Sequence, residues 1–406
     1  MGAYQGLVNN EKPYNFVIIA RDAWGEVWRR RQFIASVLSG MGHRVLFVER
    51  PFSVMRSLAG VSGGDSRPLR RVLSTARTPL KVAQNLFVAS PIKLLPDILP
   101  GAHRLNLALH AGTIRAALRH AEIKNYILWI NPEYGVHLLP YLSPDLVVYD
   151  VTDDWTQARL PEREKNEIKE NDRLMIKSAD VVLAVSQSLY EKKQKQGGKV
   201  FLVPNGVAVE LYDGVYPMPS DLAALPRPVL GYVGTLHPQR LDVELIEKIS
   251  RKNDNNFSIA LVGPDLLLPS MRERLRRLPR VHLLGAKSYF EVPAYITHFD
   301  VCLIPHRIDA FTTSLNPIKV YEYLAAGKPI VSTLLAGVEE FARFIAAVKS
   351  PEDFIEAALR LSGEGKPSDA DERLGAARAN SWKARVGQIL KIIETIKPQI
   401  TQINAD

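Results

Sequence analysis

The chain has 406 residues, 46% of them hydrophobic and 23% charged, with a single cysteine and a formal net charge of +9. That length is too great for one ordinary core and points to two domains. The composition excludes a disordered, a collagen-like and a disulfide-stapled chain.

The first element is the apolar run NFVIIA (Asn15–Ala20), which reads as a buried strand. The loop RDAWGEVWRRRQ follows. Gly25 permits close backbone approach, Arg29, Arg30 and Arg31 offer charge to a phosphate, and Trp24 and Trp28 offer faces to a sugar. The alternative is a helix start with solvated arginines and packed indoles. A helix through QFIASVLSGMGH leads to a second strand, RVLFVE.

Residues 51–124 hold eleven Lys and Arg (Arg56, Arg67, Arg70, Arg71, Arg77, Lys81, Lys93, Arg104, Arg115, Arg119 and Lys124) against three acids, nearly the whole net charge. A basic region of this kind suits an anionic partner. Apolar residues lie between its charges, as in RRVLSTARTPLKVAQNLFVASPIKLLPDIL. That mixture favours an anionic membrane surface over nucleic acid. A solvated basic face is the alternative.

Further strands are read at YILWI, LVVYDV, VVLAVS and VFLVP. In VVYDVTDDW, Asp150, Asp153 and Asp154 lie just past a strand end. Like charges so clustered raise one another's pKa, which suits proton transfer; the alternative is that they cap a turn. A Pro- and Gly-rich stretch, NGVAVELYDGVYPMPSDLAALPRP, is the linker candidate. A second series follows: VLGYVG, SIALVG, VHLLG, VCLIP and PIVST. Short apolar runs separated by helical patterns imply parallel sheets covered on both faces. Cys302, inside DVCLIP, reads as a small core residue. The expected architecture is therefore α/β, with two doubly wound sheets facing across a cleft.

The segment TTSLNPIKVYEYLAAGKPIVST (Thr312–Thr333) contains a short helix, with Asn316 as the expected cap, Pro317 in the first turn and Gly327 as the stop. Free amides at Ile318 and Lys319 make an anion site there, with Lys319 adding a full charge. Glu322 lies three residues on and can accept two hydrogen bonds from a diol. The bland reading is a capped helix with a Lys–Glu surface pair. SWKARVGQILKIIETIK reads as a final amphipathic helix.

NPIKVYEYLAAGKPIVST resembles the donor-site signature of GT-B glycosyltransferases, family 4 above all. DVVLAVSQSL, VFLVPNGV, LGYVGTL, VHLLGAKSY and FDVCLIP follow the family's order and spacing. VVYDVTDDW together with the signature resembles proteins of the teichuronic-acid biosynthesis type. The resemblance implies an acceptor-binding Rossmann-like domain at 1–207, a nucleotide-sugar domain at 208–380, and a terminal helix at 381–406 that crosses back. It implies that Glu322 holds the donor ribose and that Asn316, Pro317 and Ile318 form the turn whose amides meet the diphosphate. Gly234 and Thr235 match a turn near phosphate, and Gly285 and Tyr289 the region that reads the base. The family's first glutamate of the pair is replaced by Ser314, and its usual Arg and Lys after the glycine turn are not in pattern. Arg240 and Arg307 are the substitutes.

The resemblance implies no cofactor and no metal, and a nucleotide sugar as donor substrate, UDP-sugar first. The acceptor falls to the first domain, at Trp24, Gly25, Arg29 and Arg31, with Asp153 as base and Asp150 and Asp154 orienting it if the reaction inverts. If it retains configuration, the donor phosphate assists and the aspartates bind acceptor. The implied role is sugar transfer to a lipid-linked or glycan acceptor in cell-surface polysaccharide assembly, on the inner face of the cell membrane. A sugar-nucleotide epimerase and a non-catalytic membrane-surface protein of the same fold are the rival readings. The start lacks a basic segment followed by an apolar core, and no apolar run reaches about 18 residues. Neither a secretory leader nor a membrane-spanning helix is therefore expected.

Overall fold

The computed structural model describes residues 13–403 except 26, 56–77, 253–256, 336 and 366. Its first sheet has eight strands in the order β10-β9-β8-β7-β1-β2-β5-β4. These are β1 (Asn15–Ile19), β2 (Arg44–Val48), β4 (Leu80–Ala83), β5 (Leu86–Ala89), β7 (Ile127–Ile130), β8 (Leu146–Val151), β9 (Val181–Ala184) and β10 (Val200–Leu202). All neighbours are parallel except the β4–β5 hairpin. The short β3 (Phe52–Ser53) and β6 (Ile92–Lys93) pair beside it. The central strands are buried along their length, as parallel strands covered on both faces require.

The second sheet is wholly parallel, in the order β13-β12-β11-β14-β15-β16. Its strands are β11 (Val229–Val233), β12 (Ser258–Val262), β13 (Val281–Gly285), β14 (Val301–Ile304), β15 (Ile330–Thr333) and β16 (Ile345–Val348). This is the 3-2-1-4-5-6 order of a doubly wound nucleotide fold, with its switch point between β11 and β14. In the first sheet the corresponding reversal lies between β1 and β7. Ligands of such sheets sit beyond the strand ends at these two points. The two sheets are the expected α/β architecture.

The strands read from the sequence are present, most a residue or two shorter. Two regions differ. Residues 80–89, taken as part of an amphipathic basic stretch, form the β4–β5 hairpin, and Leu86, Val88 and Ala89 are core. Residues 345–348, not read as a strand, form the edge of the second sheet. Arg56, Arg67, Arg70, Arg71 and Arg77 lie outside the described residues.

The chain crosses between the sheets twice, and the crossings are bonded to each other. Val207 and Ser381 form a parallel bridge, Val207 donates to the Asn380 carbonyl at 3.2 Å, and Trp382 donates to the Val207 carbonyl at 3.0 Å. A Cβ on Gly206 would stand 2.7 Å from the Asn380 oxygen, so only glycine fits there. The last helix, Trp382–Ile403, then packs on the first sheet: Trp382, Val386, Ile389, Ile393 and Ile396 join the core of Phe16, Phe33 and Phe47. Trp382 stacks on Phe33 with centroids 5.1 Å apart.

The Trp382 indole N–H is buried without a hydrogen-bond partner, so its contribution is packing alone. Trp382→Ala should cost about 3–5 kcal/mol. Trp382→Phe keeps the stack and leaves no polar group unmet, so it should cost less than half of that. Urea unfolding of both variants measures the difference; equal losses would assign the indole nitrogen a role.

Candidate functional site

Helix Ile318–Ala325 begins on Pro317 and ends before Gly327, whose φ of +63° is the left-handed turn a helix stop uses. The cap differs from the sequence reading. Asn316 does not cap this helix. Its side-chain oxygen accepts the Asn205 amide at 2.8 Å and the Tyr321 hydroxyl at 3.1 Å, while its carbonyl accepts the Asn205 side chain at 2.6 Å. Asn205 ends the first domain, so this pair fixes the helix start against the other sheet. Arg385 bonds the Asn205 carbonyl at 3.0 Å and Arg30 the Pro204 carbonyl at 2.9 Å. The first-turn amides of Ile318 and Lys319 have no acceptor within the helix.

Glu322 is buried and Lys319 is half-buried, which a surface ion pair would not be. The Lys319 ammonium lies 4.9 Å from the Tyr232 ring centre, under the turn after β11. A Cβ on Gly234, at φ +140°, would come within 3.3 Å of that ammonium, and one on Gly263 would stand 2.1 Å from the Gly234 oxygen. Two glycines therefore let the β11 turn settle directly over Lys319. Thr235 follows, its carbonyl accepting the Tyr232 hydroxyl at 3.3 Å. Burial first, then Arg240, lowers the Lys319 pKa to about 8. Burial raises that of Glu322 to about 7, opposed by Lys319 and by a hydrogen bond from Tyr289.

His306, directly after β14, lies at the same switch point. Its Nε2 is 3.3 Å from the Tyr232 hydroxyl, its Nδ1 is buried without a partner, and burial beside Lys319 and Arg240 holds it well below the usual imidazole pKa. The sequence reading passed over His306; its place one residue beyond VCLIP was the available signal.

Arg240 reaches across the cleft. Its guanidinium donates to Asp153 at 2.7 Å and lies 5.4 Å from the Phe311 ring centre, and its Nε is buried without a partner. The loops on either side also meet through Arg159 and Gln239 at 3.1 Å and through Trp155 and Phe311 at 5.4 Å. Arg307 instead turns to the Leu241 carbonyl at 3.4 Å.

Several expected site residues have other partners. Ser314 donates to the Phe311 carbonyl at 2.8 Å, and its own carbonyl accepts Ser186 at 2.7 Å, so its hydroxyl is occupied within its own turn. Gly285 is exposed, with φ +74° and its carbonyl accepting the Gly263 amide at 2.9 Å. The Tyr289 ring packs edge-on against Phe33 at 4.8 Å, joining the two domains beside Glu322.

The three aspartates do not crowd one another; each has its own cation. Asp150 is fully buried and takes Arg30 at 3.0 Å and the Trp129 indole at 3.3 Å. Asp154 takes Lys192 at 2.6 Å and Thr156 at 2.5 Å. Only Asp153 faces the opposite domain. In the first loop Trp24 is core, edge-on to Phe47 at 5.0 Å, and so is no open sugar platform. Arg31 is buried on Asn131 at 2.6 Å and pairs with Asp22; burial lowers its pKa to about 10. Gly25 is exposed, and Arg29 lies near enough to act electrostatically on Lys319 and His237.

At the reversal of the first sheet is a polar recess lined by Arg21, Glu133, Thr152, Asp153, Trp155 and Lys193, among others. Arg21 pairs with Glu133 and lies 5.6 Å from the Trp155 ring centre. The sequence reading missed Arg21, Glu133 and Trp155, which are far apart in the chain. Among the described residues no cluster of three His, Cys, Asp or Glu side chains could hold a metal ion.

A family model described as "Glycosyl transferases group 1" matches residues 227–364. The chain is 30% identical over 277 residues to a putative teichuronic acid biosynthesis glycosyltransferase, TuaH, of Bacillus subtilis, covering 63% of this chain and 69% of that one. Among solved structures it is similar to a sucrose-phosphate synthase from Thermosynechococcus elongatus, with TM-score 0.67, 14% identity and 94% and 98% of the two chains covered. It is also similar to Anabaena Alr3699/HepE in complex with UDP and glucose, with TM-score 0.67, 15% identity and 94% and 100% covered.

The buried carboxyl gives a pH test. The folded protein keeps a proton on Glu322 up to about pH 7, whereas the unfolded chain releases it near the ordinary value of 4.5. The native state binds more protons between those values, so stability falls as pH rises through them. Glu322→Gln lacks this loss. Relative to the parent it should gain roughly 3 kcal/mol between pH 4.5 and 8. Thermal unfolding across that range measures it; a constant difference would mean the carboxyl is solvated.

Proposed function

The chain belongs to the group 1 glycosyl transferases and has their GT-B fold, and from that premise we propose which molecules it joins and how. The donor is a UDP-sugar carrying a hexosyl group. The observation that carries this is the helix start at Ile318–Lys319, with a half-buried lysine in its first turn and a buried carboxyl three residues on. Amides at a helix start, the Lys319 ammonium and the Arg240 guanidinium supply fixed positive charge for a diphosphate without a metal. Glu322, once ionised, accepts both ribose hydroxyls. The partnerless Nδ1 of His306 and Nε of Arg240 are buried polar atoms that a bound ligand would satisfy. Solved neighbours hold UDP, as in Anabaena Alr3699/HepE with UDP and glucose.

The acceptor enters from the first domain, at the recess of Arg21, Glu133, Asp153 and Trp155. Its hydroxyl oxygen bonds the anomeric carbon as the bond from that carbon to the diphosphate oxygen breaks. Asp150 and Asp154 hold their own cations and serve structure. Asp153 orients the acceptor, and because it already pairs with Arg240, the departing diphosphate takes the proton. Closing the domains excludes water and so limits hydrolysis. The acceptor is lipid-linked or a glycan, in cell-surface polysaccharide assembly; the similarity to a putative teichuronic acid biosynthesis glycosyltransferase of Bacillus subtilis supports this reading. The enzyme works peripherally on the inner face of the membrane, drawn there by the basic region 51–124.

A thermal-shift panel of UDP, GDP, ADP and dTDP compounds tests the donor. UDP and UDP-hexoses should raise the melting temperature selectively, since a ligand of the native state stabilises it. A flat response to the UDP compounds would overturn the proposal. UDP affinity should rise with pH through about 7 as Glu322 ionises and fall above about 8 as Lys319 loses its proton. Isothermal titration at several pH values reads both limbs. Asp153→Asn should lower transfer at least tenfold while leaving UDP binding within about threefold; loss of UDP binding instead would place Asp153 on the donor side.

A further inference from the structure

The loop between β6 and helix Ala102–His120 holds apolar side chains in solvent. Its backbone is tied down from beneath: the buried Asn106 side chain accepts the Leu94 and Leu95 amides at 3.1 and 3.3 Å, and donates to the Leu95 carbonyl at 2.8 Å and to Asp97 at 2.9 Å. Asp97 also pairs with Lys93. The Leu99 amide bonds the Pro96 carbonyl and the Ala102 amide the Leu99 carbonyl, each at 3.1 Å. The backbone is thus fixed, yet Ile98 is 89% exposed, Leu99 46% and Leu94 41%. Leu105, in the following helix, is 44% exposed. Met55 is 49% exposed and follows β3, which pairs with β6.

A fixed loop with its apolar side chains held outward calls for a nonaqueous neighbour. Charge says which. The described residues 78–124 carry six Lys and Arg against two acids, and Lys93 is paired with Asp97, so Arg104, exposed at the start of the following helix, is the nearest cation in sequence outside that pair. Apolar side chains beside net positive charge fit an anionic bilayer, where the cations meet headgroups and the apolar groups enter the acyl boundary.

We propose that the loop Lys93–Gly101 is a membrane-insertion wedge, with Ile98 and Leu99 as its tip and the exposed Arg104 among its headgroup contacts. The proposal rests on the membrane-face reading above and specifies which residues enter. It leaves the catalytic cleft untouched, since none of these residues lines the donor or acceptor groups.

The test is co-sedimentation of the full chain with vesicles of phosphatidylcholine containing phosphatidylglycerol, against phosphatidylcholine alone. The parent should pellet with the anionic vesicles and weaken as salt rises. Ile98→Ser/Leu99→Ser, which changes no charge, should lower the partition coefficient at least tenfold, with its UDP-induced melting shift unchanged as proof of folding. Pelleting equal to the parent would overturn the wedge while leaving the membrane-face reading standing. A parent that pellets with neither vesicle would overturn both. Equal pelleting with neutral and anionic vesicles would overturn the anionic partner. A parent dimer in solution that the double variant dissociates would assign the patch to a second copy of this chain and overturn the wedge.

Discussion

A half-buried lysine and a buried glutamate lie one turn apart on helix Ile318–Ala325, at the point where two parallel sheets face each other. Burying ionisable groups costs stability unless partners repay it. Here repayment is partial: the Glu322 carboxyl is pushed up to about 7 and the Lys319 ammonium down to about 8. Everything else in the cleft serves this strained pair. Gly234 and Gly263 bring a bare turn over the ammonium, Tyr232 gives it a ring face, and Asn205 holds Asn316 so that the helix start cannot drift from the first domain. The stability forgone is held for a ligand that supplies negative charge to the lysine and hydroxyls to the glutamate.

The domain junction explains how the two walls keep their register. Both crossings, at Val207 and at Ser381, are bonded together, and the last helix returns to the first core. The Asn205–Asn316 exchange and the Tyr289–Phe33 contact sit on the donor side of that junction. The Asp153–Arg240 ion pair lies on the cleft itself, 24% and 15% exposed at its arginine and aspartate side chains. Arg240 holds Asp153 through one nitrogen and leaves its Nε without a partner, so a ligand bound at Nε would join the donor and acceptor walls through one side chain.

Local signals made much of the fold legible. The strands of both sheets are short apolar runs, and the signature helix carries its own stop in Gly327. What sequence could not show depended on distant partners. Asn316 has the composition of a cap, but Asn205, far earlier in the chain, claims its oxygen. Asp150, Asp153 and Asp154 look like one acidic cluster until Arg30, Arg240 and Lys192 are placed beside them. Trp24 has the look of a sugar platform, yet Phe47 and Trp28 enclose it. Leu86 and Val88 sit among basic residues and read as amphipathic, but the β4–β5 hairpin turns them into the core. In each case the residue type was informative and the neighbour was not.

The most direct measurement is a crystal structure of the protein soaked with UDP. Its pyrophosphate should lie within hydrogen-bonding distance of the Ile318 and Lys319 amides, with the ribose hydroxyls on Glu322. Density for UDP elsewhere, with Glu322 still packed against Tyr289 and untouched by the ribose, would contradict the role given to this helix.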